Sequence, residues 1–101
     1  MFIYNITVKV NKAILKEWLA WQKEEHIPEI MATNLFNEFK MYRLHDQDDT
    51  EGSTYIFQYF TPEKNNYKSY IENFAPSLRK KALNKWGDGF IAFRSLLESV
   101  Q

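Results

Sequence analysis

The chain has 101 residues, with 13 basic and 13 acidic side chains and no cysteine. Disulfides, zinc–thiolate sites and thiol nucleophiles are excluded together, and a cysteine-free chain suits a reducing compartment, so the cytoplasm is the expected location. Balanced charge speaks against a protein that neutralises many phosphates, and hence against nucleic acid as a partner. No apolar run is long enough for a bilayer span, and Met1-Phe2-Ile3-Tyr4-Asn5 lacks the basic start of a signal peptide, so no membrane partner is expected.

The length predicts a single domain over residues 1–101, large enough to build a core without staples. Phe2 to Val10 alternates, with Phe2, Tyr4, Ile6, Val8 and Val10 on one side and Ile3, Asn5, Thr7 and Lys9 on the other, which predicts a first strand. Asn11 reads as the cap of a helix starting near Lys12. At 100° per residue, Ile14, Leu15, Trp18 and Trp21 share a face of that helix, and Gln22, Glu25 and His26 continue it. Pro28 weakens the helix, Pro28-Glu29-Ile30-Met31 restarts it, and Thr33-Asn34 ends it.

Phe36 to His45 reads as a second strand, Asp46 to Gly52 as a polar hairpin loop, and Ser53 to Phe60 as a third strand. Thr61-Pro62-Glu63 opens a further helix, whose inward stripe is Tyr67, Tyr70, Ile71 and Phe74. Pro76 breaks or kinks it; Leu78, Ala82 and Trp86 continue the apolar face, and Gly87-Asp88-Gly89 ends it. Phe90 to Val100 reads as a fourth strand.

Strand, helix, strand, strand, helix, strand predicts an α+β protein, a ferredoxin-like βαββαβ sandwich. It carries a four-stranded antiparallel sheet with strands one and three at the centre and two helices on one face. The other face needs a cover. Strand three offers Tyr55, Phe57 and Tyr59 on one side and Ile56 and Phe60 on the other; strand four offers Phe90, Ala92 and Leu96 against Ile91, Phe93 and Leu97. Two helices hide only one of these sets, so a homodimer through the sheet faces is expected.

Four pieces of the chain resemble the uncharacterised bacterial family catalogued as domain of unknown function 4286: Ile3 to Val8, Trp18 to Ala32 with its Glu24-Glu25-His26-Ile27-Pro28, Thr54 to Phe60, and Phe90 to Glu98. That resemblance implies no activity. A wider likeness, to the dimeric α+β barrel superfamily, implies two sheets facing across a dimer and a ligand held between helices and sheet. The superfamily includes cofactor-independent monooxygenases and haem-degrading monooxygenases. The haem-degrading members use a first-strand asparagine, against which Asn5 can be placed, and a histidine on the second long helix. No histidine lies between Glu63 and Trp86, which speaks against haem degradation.

Trp21, Gln22, Glu25, His26 and Asn5 are the candidate ligand-binding residues. His26 is the candidate catalytic base, with Glu25 or Glu29 as the group that would set its tautomer. Its structural alternative is a histidine that satisfies a loose carbonyl near a helix end. Asn5, Thr7 and Gln58 are polar groups at mid-sheet that need partners, from one another, water or a ligand. Arg43 and Arg94 lie on strands, where a guanidinium can clamp a carboxylate, a salt bridge to Glu38 or Glu98 being the ordinary explanation; Arg79-Lys80-Lys81 reads as a solvated face rather than a phosphate site. His26 and His45 have no metal-ligand spacing, and the acidic loop lacks the positions of an EF-hand, so neither metal nor cofactor is expected. Two readings remain from the residues. One is a homodimeric barrel that binds a small molecule; the other is a cofactor-independent monooxygenase-like enzyme with His26 as base. An RNA-binding reading lacks the basic-glycine-aromatic signature on strand three.

Overall fold

The computed structural model describes residues 1–100. Four strands form one antiparallel sheet in the order β2-β3-β1-β4, where β1 is Phe2–Asn11, β2 Glu38–Arg43, β3 Gly52–Thr61 and β4 Phe90–Glu98. The central pair is β1 with β3, as the topology predicts, and its register sets Tyr4 opposite Tyr59 and Asn5 opposite Gln58. On the far side of β1, Ile6 faces Arg94 and Asn5 faces Ser95. Because strand side chains alternate, this register sorts the residues into two faces.

The helices cover the face that carries Tyr4, Val8 and Val10 of β1 and Tyr55, Phe57 and Tyr59 of β3. Trp18, at 1 % exposure, is the centre of one aromatic group, its ring 6.2 Å from Tyr55 and 5.8 Å from Phe57. Tyr4 is the centre of another, with Phe36, Tyr59, Tyr67 and Tyr70 within 6.3 Å. Such pairs add to the area term, and truncating a buried tryptophan removes both.

Several boundaries differ from the sequence reading, each for a physical reason. The second strand is shorter than Phe36 to His45: Phe36 is buried in the Tyr4 group ahead of β2, and Leu44 to Thr50 is turn and loop. The first helical segment, α1 (Leu15–Trp21), starts three residues later than Lys12. Asn11 holds the intervening turn, accepting a 2.8 Å hydrogen bond from the Ala13 amide at its Oδ1. In the second helical layer, the interruption between α3 (Lys64–Asn73) and α4 (Ala75–Trp86) falls at Phe74, two residues ahead of Pro76. Proline is tolerated only in the first turn of a helix, so the break has to precede it. Gly87, at φ +57°, ends α4 as expected, in a conformation that L side chains rarely adopt.

The uncovered face carries Ile3, Ile56, Phe60, Ile91, Phe93 and Leu97 around a polar centre. There Gln58 Nε2 donates to Asn5 Oδ1 at 3.0 Å, and Asn5 Nδ2 donates to Thr7 Oγ1 at 3.5 Å. Ile91 is 74 % exposed and Phe93 73 %. No helix among the described residues is long and apolar enough to cross a membrane.

Candidate functional site

The first helical layer is not a plain α-helix. After α1 the chain makes a π-turn over Gln22–His26 and then resumes as α2, Ile27–Met31. The Ile27 amide donates to the Gln22 carbonyl, five residues back. The turn lies just before Pro28, where an α-helix would drive the ring into the carbonyl of Glu24; the wider turn relieves that crowding.

The extra residue in the turn decides which side chains point inward. In an α-helix the residue four after Trp21 shares its face, and that is Glu25. In the π-turn the residue five after it does, and that is His26. The His26 ring stacks on Trp21, centroids 4.6 Å apart at 21°, and Trp21 meets Trp86 edge-on at 5.8 Å. Gln22 is buried. Glu25 is exposed on the outer side, where Lys81 Nζ lies 3.5 Å from it and 2.8 Å from Glu29.

Beneath this turn, between the helices and the sheet, lies a crevice. Its walls are Tyr4, Ile6, Val8, Phe57, Tyr59, Phe90, Ala92 and Arg94 of the sheet, Trp18, Trp21, Gln22, His26 and Ile30 of the first layer, and Tyr70, Leu78, Arg79 and Ala82 of the second. Its volume of about 40 Å³ is room for a few waters or a small ligand group. Of the five residues singled out from sequence, the fold brings Trp21, Gln22 and His26 together here. Glu25 stands outside, and Asn5 is on the opposite face of the sheet, hydrogen-bonded to Gln58. Strand alternation separates Asn5 from the crevice, whose walls take the even-numbered β1 residues.

Burial lowers the pKa of His26 to about 4. Glu29 opposes this most strongly, Arg94 and Lys81 add to it, and Glu25 opposes it weakly. The imidazole is therefore neutral at pH 7, and its Nδ1 is buried with no hydrogen-bond partner. Burial likewise raises Tyr59 and Tyr70 above the ordinary phenol range; at Tyr70, Arg79 and Arg94 pull the other way. Arg79 Nη2 donates to the Tyr4 hydroxyl at 3.1 Å, so this member of the basic cluster belongs to the crevice while Lys81 serves the surface. Arg43 is paired with Asp49 at 2.6 Å rather than with Glu38. No group of three or more histidine, cysteine or acidic side chains among the described residues is arranged to hold a metal.

The tyrosines and Arg79 of the crevice were not singled out as site residues from sequence, and Arg94 was read as a carboxylate clamp or, more ordinarily, as a salt-bridge partner. One signal was available: Phe90, Ala92, Arg94 and Leu96 form the inward column of β4, and a guanidinium in an otherwise apolar column is out of place unless something meets it. The Arg79–Tyr4 contact joins residues 75 apart and has no local signature.

Solved structures place the architecture. A dimeric ferredoxin-like protein from an uncultured marine organism superposes with a TM-score of 0.77 at 12 % identity, over 99 % of this chain and 95 % of the other. An antibiotic biosynthesis monooxygenase superposes at 0.70 with 10 % identity, over 100 % of both chains. SnoaB, a cofactor-independent oxygenase from Streptomyces nogalater, superposes at 0.66 with 10 % identity, over 99 % and 94 %. At such identities the likeness speaks for the fold alone. With the helices on one face of the sheet, it defines the class as α+β and ferredoxin-like. Within that class the chain belongs to the family described as domain of unknown function 4286, whose model matches residues 1–100. No curated protein matches the chain in sequence.

Proposed function

We propose that this chain is a cytoplasmic homodimer, its sheets packed face to face as an α+β barrel, and that each subunit binds a small molecule in the crevice beneath the π-turn. The observation that carries the binding reading is the convergence of Gln22, His26 and the Tyr4–Arg79 pair on one aromatic-walled hollow. Concave, mostly apolar sites with a few convergent polar groups are where small ligands bind. Phenol serves as a neutral probe. Titrated into 15N-labelled protein, it is expected to shift resonances of Trp21, Gln22 and His26 selectively. Shifts confined to other parts of the surface would remove the crevice from the account.

A second reading is a cofactor-independent monooxygenase, favoured by the unpartnered Nδ1 of His26. In that reading the neutral imidazole takes a proton from an acidic C–H of the substrate, and the resulting carbanion reacts with O2, which is the oxidant. The CH2 becomes a carbonyl and the second oxygen leaves as water. A base whose pKa is held near 4 is weak for this task, so binding is the better-supported reading. Oxygen uptake with readily deprotonated hydroxyaromatic compounds, abolished in His26→Gln, would support the enzyme; uptake equal in the two proteins would remove His26 as base.

A further inference from the structure

The charges of the crevice are unbalanced. Two guanidiniums line it, from Arg79 of α4 and Arg94 of β4, and no carboxylate does. Among the described residues neither arginine makes a salt bridge, although the surface cations Arg43 and Lys81 both do. The two approach the same crevice from different layers, Arg79 from the helices and Arg94 from the sheet, and both partly offset the rise that burial gives the Tyr70 pKa. The acids whose charge acts on His26, Glu29 and Glu25, are engaged by Lys81 on the outer side of the first helical layer. Apart from Gln22 and His26, the remaining walls are aromatic and aliphatic.

We infer that the ligand of this crevice is a small aromatic or apolar acid, its carboxylate met by Arg79 and Arg94 at the exposed rim and only the edge of its apolar part entering the hollow beside Trp21. The inference rests on the crevice being the binding site. The chemistry follows from what each part lacks. Both guanidiniums are exposed at the rim and hydrated there, and a planar anion, which accepts two N–H donors from each, is the ligand group that would replace that water with the strongest hydrogen bonds. A neutral ligand would leave them as they are. The Tyr4 hydroxyl, already holding Arg79, fixes the direction of one of the two forks. Gln22 and the neutral His26 carry no charge to compete for the anion at pH 7.

The test pairs aryl carboxylates with their uncharged amides: benzoate, phenylacetate and 1-naphthylacetate against benzamide, phenylacetamide and 1-naphthylacetamide. Affinities come from 15N chemical-shift titration of the intact protein. At least one carboxylate is expected to bind about ten-fold or more tightly than its amide, the worth of a hydrogen bond to a charged group. In Arg94→Gln that preference is expected to disappear, the carboxylate losing far more affinity than the amide. Arg94 is exposed, so the variant is expected to fold, which its amide spectrum checks; Arg79→Gln provides an independent second variant. Carboxylate and amide binding equally at the Trp21–His26 resonances would overturn the acid and leave the binding site standing. Binding of neither at those resonances would overturn both. A carboxylate preference that survives in both arginine variants would also overturn the inference.

Discussion

At the scale of single residues, His26 governs the acid response. Its folded pKa of about 4 lies below the ordinary value of 6.5, so between those two pH values the unfolded chain binds more protons than the native one. Stability therefore falls as pH drops from about 6.5 and reaches its full loss near pH 4, a loss of about 3 kcal/mol at most from this group. The charges of Glu29, Arg94, Lys81 and Glu25 act on the ring and set the remaining balance. Urea denaturation at pH 7 and at pH 4.5 measures the effect, with His26→Leu as reference. The variant should lose less stability over that interval than the wild type, and an equal loss in both would show that the ring is not the buried titrating group. Trp18 is the complementary case of a side chain that only packs. Trp18→Ala should cost about 3–5 kcal/mol in the same denaturation experiment.

At the scale of elements, most of the pattern was legible in the sequence because it rests on local periodicity. The alternation in β1 and β3 and the i, i+3, i+4 stripe of α3 each follow from one face being buried. The first helix was legible as an element and misleading as a face. A steady 100° advance sends both Glu25 and His26 inward, and one additional residue in the turn keeps His26 there and turns Glu25 toward Lys81. Pro28 was the available warning, yet a proline marks a disturbance without stating whether the chain will kink, stop or widen. The β1–β3 end is stricter. A Cβ on Gly52 would collide with the Val10 carbonyl, which is backbone and has nowhere to go. Gly52→Ala should cost about 2 kcal/mol or more in thermal or urea unfolding, overpacking against a rigid neighbour being the cause. A neutral result would mean that the two strands part there without penalty.

At the scale of the whole molecule, the uncovered sheet face decides the assembly. Ile91 and Phe93 stand almost fully in solvent on a single subunit, beside Leu97 at 40 % exposure. A patch of this kind is the proposed contact between two copies. Light scattering after size exclusion should give twice the 12.1 kDa chain mass for the wild type. Phe93→Glu should give the single chain mass with an unchanged far-ultraviolet circular dichroism spectrum, since the side chain packs against little within its own subunit. A wild type that elutes at one chain mass at micromolar concentration would end the barrel proposal. The crevice lies on the opposite side of the sheet, so Phe93→Glu should leave the phenol-induced shifts at Trp21 and His26 in place, a separation the same NMR titration measures.

The sequence by itself determined the strand and helix order, the central pairing of β1 with β3, and the surplus of apolar side chains on a second face. All of these depend on which residues repeat at which spacing along the chain. Only the tertiary structure decided the composition of the crevice. It brought Arg79 to Tyr4 and Arg94 to the inner column beside Ile6. It also set the helices over the even-numbered side of β1, which leaves Asn5 on the other face, and turned Glu25 outward through a single wide turn while His26 kept its inward place. A cavity is made by elements distant in sequence, and its walls answer to register and to helix phase, where a shift of one residue reverses what points inward.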